Sequence, residues 1–183
     1  MKAITIWQPW ASLLAYGAKR YETRSWETKY RGPIAIHAAL KDPCKLPLFG
    51  KEDFEEAVRK AIGNVSSSWA TLPLGAVIAT AELVECWDIV YHPGTNIDVA
   101  KNIEVGAELN VPKHHPRFGD YVVPTEQELI FGDWTPGRFA WELQNIQLLP
   151  APIFVKGHQG LWNFDLEKEA ARDAAAELFQ PAT

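Results

Sequence analysis

The stretch Gly75–Ile89 is the longest β-like run in the chain, rich in Val, Ile and Thr with Trp87 near its end. Residues of that kind fit a pleated, half-buried surface, so a sheet must organise the fold. Shorter strand candidates surround it at Ala3–Ile6, Arg20–Trp26, Ile34–Ala38, Arg138–Leu149, Ile153–Val155 and Leu161–Phe164. Apolar residues recur at helical spacing in Trp10–Gly17, in 52–62 and in Leu166–Phe179. Thr125, Glu126 and Glu128 mark a short capped helix that ends at Gly132. Strands and helices do not alternate regularly, which disfavours a doubly wound parallel sheet. The expected fold is α+β: a small mixed β-barrel decorated with helices, in a single domain over residues 1–183.

With 183 residues, 47% of them hydrophobic, the chain can bury a core without staples. Cys44 and Cys86 then read as a pair of buried thiols. No stretch reaches about twenty apolar residues, so no membrane span is expected. The N-terminus lacks the long apolar core and cleavage site of a signal peptide, and a cytoplasmic protein is expected. Net charge is −5, which argues against coating nucleic acid by bulk electrostatics. A local basic patch survives that sign, because Lys19, Arg20, Arg24, Lys29 and Arg31 crowd thirteen positions against Glu22 and Glu27.

That patch is the first candidate site. A helix stops at Gly17, Lys19 stands at the mouth of the junction, and an alternating strand sets Glu22, Arg24 and Trp26 on one face. An indole can stack a base, an Arg can pair with phosphate, and a Lys–Glu pair can move protons. Spacing alone also fits a surface hairpin with a solvated charge ladder and one core Trp. Burial of both charges would tip the balance toward the functional reading, because a Lys beside a carboxylate in a dry site is tunable.

Trp7-Gln8-Pro9-Trp10 is the second candidate, a helix N-terminus whose free N–H groups favour an anion or a polarised carbonyl. Gln8 is its polar group and Trp10 either stacks a ligand or caps the core. His37, on a strand face with Ala35, fits a hydrogen-bonded core residue or a ligand contact. In Lys156–Trp162, Gln159 either sits in a tight turn or reaches a base. His92, His114, His115 and His158 with the two cysteines have no metal-ligand spacing, so no metal and no cofactor is expected. A segment from 91 to 120 reads as irregular, an insertion or flap, and Ser66–Ser68 as an exposed loop.

Ile4–Leu13, then Gly17-x-Lys19-x-x-Glu22-x-Arg24, then Tyr30–Ala38 resembles an ASCH domain, of the PUA-like superfamily. Gly137–Leu143 and Gly157–Trp162 resemble that family's closing strands, with 40–74 and 91–135 as variable insertions. The resemblance implies a PUA-like barrel with a cleft that binds RNA or a modified nucleoside or nucleotide. The candidate residues are the ones expected to line it: Lys19, Glu22, Arg24 and Trp26, with Gln8, Trp10, His37 and Gln159 as further ligand contacts. One branch resembles amidohydrolases acting on N4-acetylcytidine, which implies catalytic roles for Lys19 and Glu82, with Glu85 as the alternative to Glu82; in a hydrolase reading of this chain Glu22 or Glu82 activates water. Glu22 stands where that branch has a Thr. Another branch is described as ribonuclease, which gives a third, metal-independent reading.

Overall fold

The computed structural model describes residues 1–48, 50–63, 69–91, 107–110 and 121–178. Within these, eight strands and four helices alternate irregularly along the chain. They are β1 (Lys2–Ile6), α1 (Trp10–Ala15), β2 (Tyr21–Arg24), β3 (Gly32–Ala38), α2 (Glu52–Ile62), β4 (Ala76–Tyr91), β5 (Ala107–Asn110), β6 (Tyr121–Val122), α3 (Glu126–Phe131), β7 (Phe139–Phe154), β8 (Leu161–Asn163) and α4 (Leu166–Leu178). The α+β character and mixed sheet match the expectation. Closure does not: among the described strands β2 and β8 are free ends of the strand order, and no barrel forms.

The chain divides into two compact units. The first takes Met1–Ala18, Pro33–Ala81 and Asn145–Thr183. Its strands run in the order β4, β3, β1, β8. β1 and β3 are parallel with Ile4 opposite Ile36, and β8 is antiparallel to β1. Ile34–Ala38 is buried at every position, which is how a strand covered on both faces reads. Ala3, Ala35, Val77, Ile153 and Phe164 form a core cluster there. On α2, Phe54 meets Trp10 of α1 at 5.9 Å between ring centroids.

The second unit takes Lys19–Gly32 and Glu82–Gln144. β2 pairs antiparallel with β7, which neighbours β4. β5 pairs with β4 and β6 with β5. Tyr21, Trp87, Ile89, Leu129, Trp134 and Ala140 form its core.

Three expectations need correction. Arg138–Leu149 and Ile153–Val155 were expected as separate strands, but β7 runs through Pro150 to Phe154. A proline needs only a position without a ladder N–H, so the strand survives it. The irregular reading of 91–120 misses β5, whose four residues pair with Asp88–Tyr91. Cys44 is half-buried and only Cys86 is fully buried; both are free, and burial pushes the Cys86 thiol up to about 11. Ser66–Ser68, His92, His114 and His115 lie outside the described residues.

Candidate functional site

Gly17, with φ of 71°, occupies the left-handed conformation that ends α1. The chain then enters β2, and Lys19 lies just before it with only 1% of its surface exposed. It is the inner end of the cluster rather than its mouth. Its Nζ donates to the Tyr21 carbonyl and to Glu22 Oε2, the latter at 3.3 Å. Glu22 is also buried, and its Oε1 is ion-paired with Arg24 Nε at 3.1 Å. Side-chain exposure climbs along this chain of charges, from 1% at Lys19 through 11% at Glu22 to 26% at Arg24. Lys19 and Glu22 are therefore both buried, and the solvated ladder is excluded.

The strand register explains what stands beside them. Glu22 faces Trp141 across the β2–β7 ladder, and directly opposite residues share a face at about 5 Å. Trp141 is 1% exposed, and Trp26 packs edge-on against it with ring centroids 4.5 Å apart at 90°. Trp141 Nε1 also donates to the Trp26 carbonyl at 3.4 Å. β2 stops at Arg24, so Trp26 lies beyond the strand and reaches this face through Trp141 rather than through alternation. Its side chain is half-buried. Thr23, on the other face, accepts the Asp133 N–H with its hydroxyl at 3.0 Å.

Two buried carboxylates of this unit were not foreseen. Glu128, on α3, accepts the backbone N–H of Arg20 with Oε1, while its buried Oε2 has no hydrogen-bond partner. Burial raises its pKa; Lys19, then the Arg20 and Tyr21 N–H groups, pull the other way. Its backbone is fixed from both sides: Thr125 Oγ1 accepts its N–H, and its carbonyl accepts Trp134 Nε1 at 2.6 Å. Glu142 accepts from Trp87 Nε1 at 2.8 Å, from Gln144 at 2.9 Å and from the Arg20 guanidinium. The sequence carries only half of this signal. The Thr125 cap announces the helix, but nothing local says that Glu128 turns inward.

Glu82 is exposed on β4, whereas Glu85 is 3% exposed and ion-paired with Arg31. The other anticipated residues belong to the first unit. Gln8 is fully buried and both ends of its amide are used: Oε1 accepts the Ser12 N–H at 3.0 Å and Nε2 donates to the Pro73 carbonyl at 2.9 Å. It thus occupies an α1 N–H that the sequence left open to an anion. Trp10 is half-buried against Phe54. His37 is 1% exposed, with Nε2 at 3.0 Å from the Val155 carbonyl, and burial lowers its pKa. Gln159 is exposed in the turn before β8. Among the described residues no group of three or more His, Cys, Asp or Glu is placed to hold a metal ion. No described helix is long and apolar enough to cross a membrane.

The model of the ASCH domain family matches residues 4–131. Activating signal cointegrator 1 from Homo sapiens is 32% identical over 83 residues, covering 45% of this chain and 14% of that protein. The Mus musculus protein of the same name matches with the same figures. The matched stretch is therefore about one-seventh of the length of these curated relatives.

Proposed function

The chain belongs to the ASCH domain family, and from that premise we propose that it binds RNA or a modified nucleoside or nucleotide at the Lys19–Glu22–Arg24–Trp26 cluster. One observation supports this reading: the buried Lys19–Glu22 pair, with the half-buried Arg24 on the other Glu22 oxygen, lies on the strand face of Trp141, against which the half-buried ring of Trp26 packs. Taking an ammonium and a carboxylate out of water costs several kcal/mol, and well-packed apolar residues would often serve stability better. What the ions supply is a fixed orientation of polar atoms next to an aromatic face. Such a face stacks any base, and the polar atoms hold its edge.

The test is titration of a short single-stranded RNA and a panel of nucleosides into the wild-type chain and into Trp26→Ala and Lys19→Ala. Stacking on one aromatic ring contributes about 1–3 kcal/mol per base. Trp26→Ala should therefore abolish most binding, while Lys19→Ala keeps some. Equal affinity in Trp26→Ala removes the reading.

The Lys19–Glu22 hydrogen bond in a dry setting also favours a second reading, hydrolysis of an N4-acetylcytidine-like nucleoside. In it Glu22 activates water and Lys19 stabilises the developing oxyanion. Turnover of N4-acetylcytidine that disappears in Lys19→Ala would establish it, and unchanged substrate after long incubation would remove it. Cleavage of single-stranded RNA in EDTA would instead favour the ribonuclease reading.

A further inference from the structure

Lys19, Arg20 and Arg24 each already have a carboxylate. Lys19 is bound to Glu22 and lies in the field of Glu128. Arg24 is ion-paired with the other oxygen of Glu22, and Arg20 with Glu142. Among the described residues, an incoming phosphate at Lys19 or Arg24 would meet a cation already paired with a carboxylate, and it would meet the Glu22 carboxyl. The acceptor group of this chain of charges is the Glu22 carboxylate, on the strand face of Trp141, whose ring packs against Trp26. Lys19 holds one of its oxygens and Arg24 the other. A carboxylate has about four lone-pair positions, so each oxygen keeps one for a further donor.

Resting on the reading above, we propose that Glu22 is the specificity-determining residue of the site, accepting N–H groups from the edge of an uncharged nucleobase that stacks on Trp26, with no contribution from phosphate. The cross-strand partner Trp141 sets the two groups side by side: its backbone is opposite Glu22 and its ring carries Trp26. The ligand class is a planar nitrogen heterocycle with an amino group, or with two adjacent N–H donors. Guanine offers both N1–H and N2–H, and cytosine offers its N4 amino group, whose natural partner is a carboxylate. Uracil has a single N3–H between two carbonyls, and those carbonyls would face the carboxylate oxygens.

Calorimetric titration of guanosine, cytidine, uridine and their 5′-monophosphates into the wild-type chain, at 50 and 500 mM salt, tests this. Guanosine and cytidine should bind about tenfold or more tighter than uridine. Each monophosphate should stay within about threefold of its nucleoside at both salts, since no phosphate counterions are released. Glu22→Gln should bring guanosine and cytidine down to the level of uridine. The inference is overturned if monophosphates bind about tenfold tighter than nucleosides and lose that gain in high salt. It is overturned equally if uridine matches guanosine. If no nucleoside, nucleotide or short RNA binds at all, the proposed function itself fails, and this inference with it. The wild-type panel decides these outcomes even if Glu22→Gln does not fold.

Discussion

The Lys19 ammonium donates a 3.3 Å hydrogen bond to Glu22 three residues ahead, and neither residue is more than 8% exposed. An ion pair in that position is unforgiving. Removing one partner leaves the other desolvated and uncompensated, at a cost of about 3–5 kcal/mol. Arg24 still contacts Glu22, so Lys19→Met should cost about 3 kcal/mol, near the lower end. In a Glu22→Gln background the same change should cost at least about 1 kcal/mol less, since residues in contact couple. A double-mutant cycle by urea unfolding measures this. Strict additivity would mean that the pair holds nothing.

Glu128 gives a pH signature. Its carboxyl titrates above the ordinary range because it is buried. Between the unfolded and the folded pKa the native state therefore binds more protons than the unfolded one. Stability contributed by this group is complete at acid pH and declines as pH rises through that window. Glu128→Gln should flatten the decline, so the variant gains on the wild type between acid and neutral pH. Urea midpoints at several pH values give the answer, and parallel curves would contradict it.

Gly157 lies against His37. A Cβ added there would sit 2.4 Å from His37 Cε1, 2.7 Å from Nδ1 and 2.9 Å from Thr5 Oγ1. All three atoms are held: Nε2 of the same ring contacts the Val155 carbonyl, and Thr5 accepts from Trp162 Nε1 at 3.2 Å. Gly157→Ala should destabilise by about 1–3 kcal/mol, the usual penalty for overpacking. In a His37→Ala background, where the ring is gone, most of that penalty should vanish. Thermal melts of the four proteins decide it.

Thr125 caps α3 by accepting the Glu128 N–H. Thr125→Ala should cost about 1 kcal/mol. Because Glu128 also holds the Arg20 N–H, the variant should loosen the turn that carries Lys19. Amide exchange at Arg20 should quicken relative to Val77 in the other unit. An unchanged Arg20 would break the proposed link from α3 to Lys19.

Local chemistry was legible and long-range partnership was not. The rhythm of 52–62 and the glycine behind it fix α2, and Thr125 with Gly132 fixes α3, because caps and periodicity are written within a few residues. Alternation puts Glu22 and Arg24 on one face, where they are ion-paired, but the strand ends at Arg24 and Trp26 owes its place to Trp141. The burial of Lys19, the inward turn of Glu128 and the Glu142–Trp87 bond all join residues far apart in sequence; Glu128 is 108 positions from Arg20. Gln8 shows the converse. As the polar group of an open helix N-terminus it was free for a ligand, yet its amide is spent on Ser12 and Pro73 in the core. β7 passes through two prolines that would end a helix but leave a strand intact.

Whether a base stacks on Trp26 can be seen directly by fluorine NMR of the chain labelled with 5-fluorotryptophan. The eight tryptophans give eight resonances, and the one missing in Trp26→Phe belongs to position 26. On adding guanosine or cytidine that resonance should shift, with Trp141 responding through its ring contact and Trp7, Trp10 and Trp162 unmoved. Shifts confined to those three, with the Trp26 signal fixed at saturation, would contradict the account.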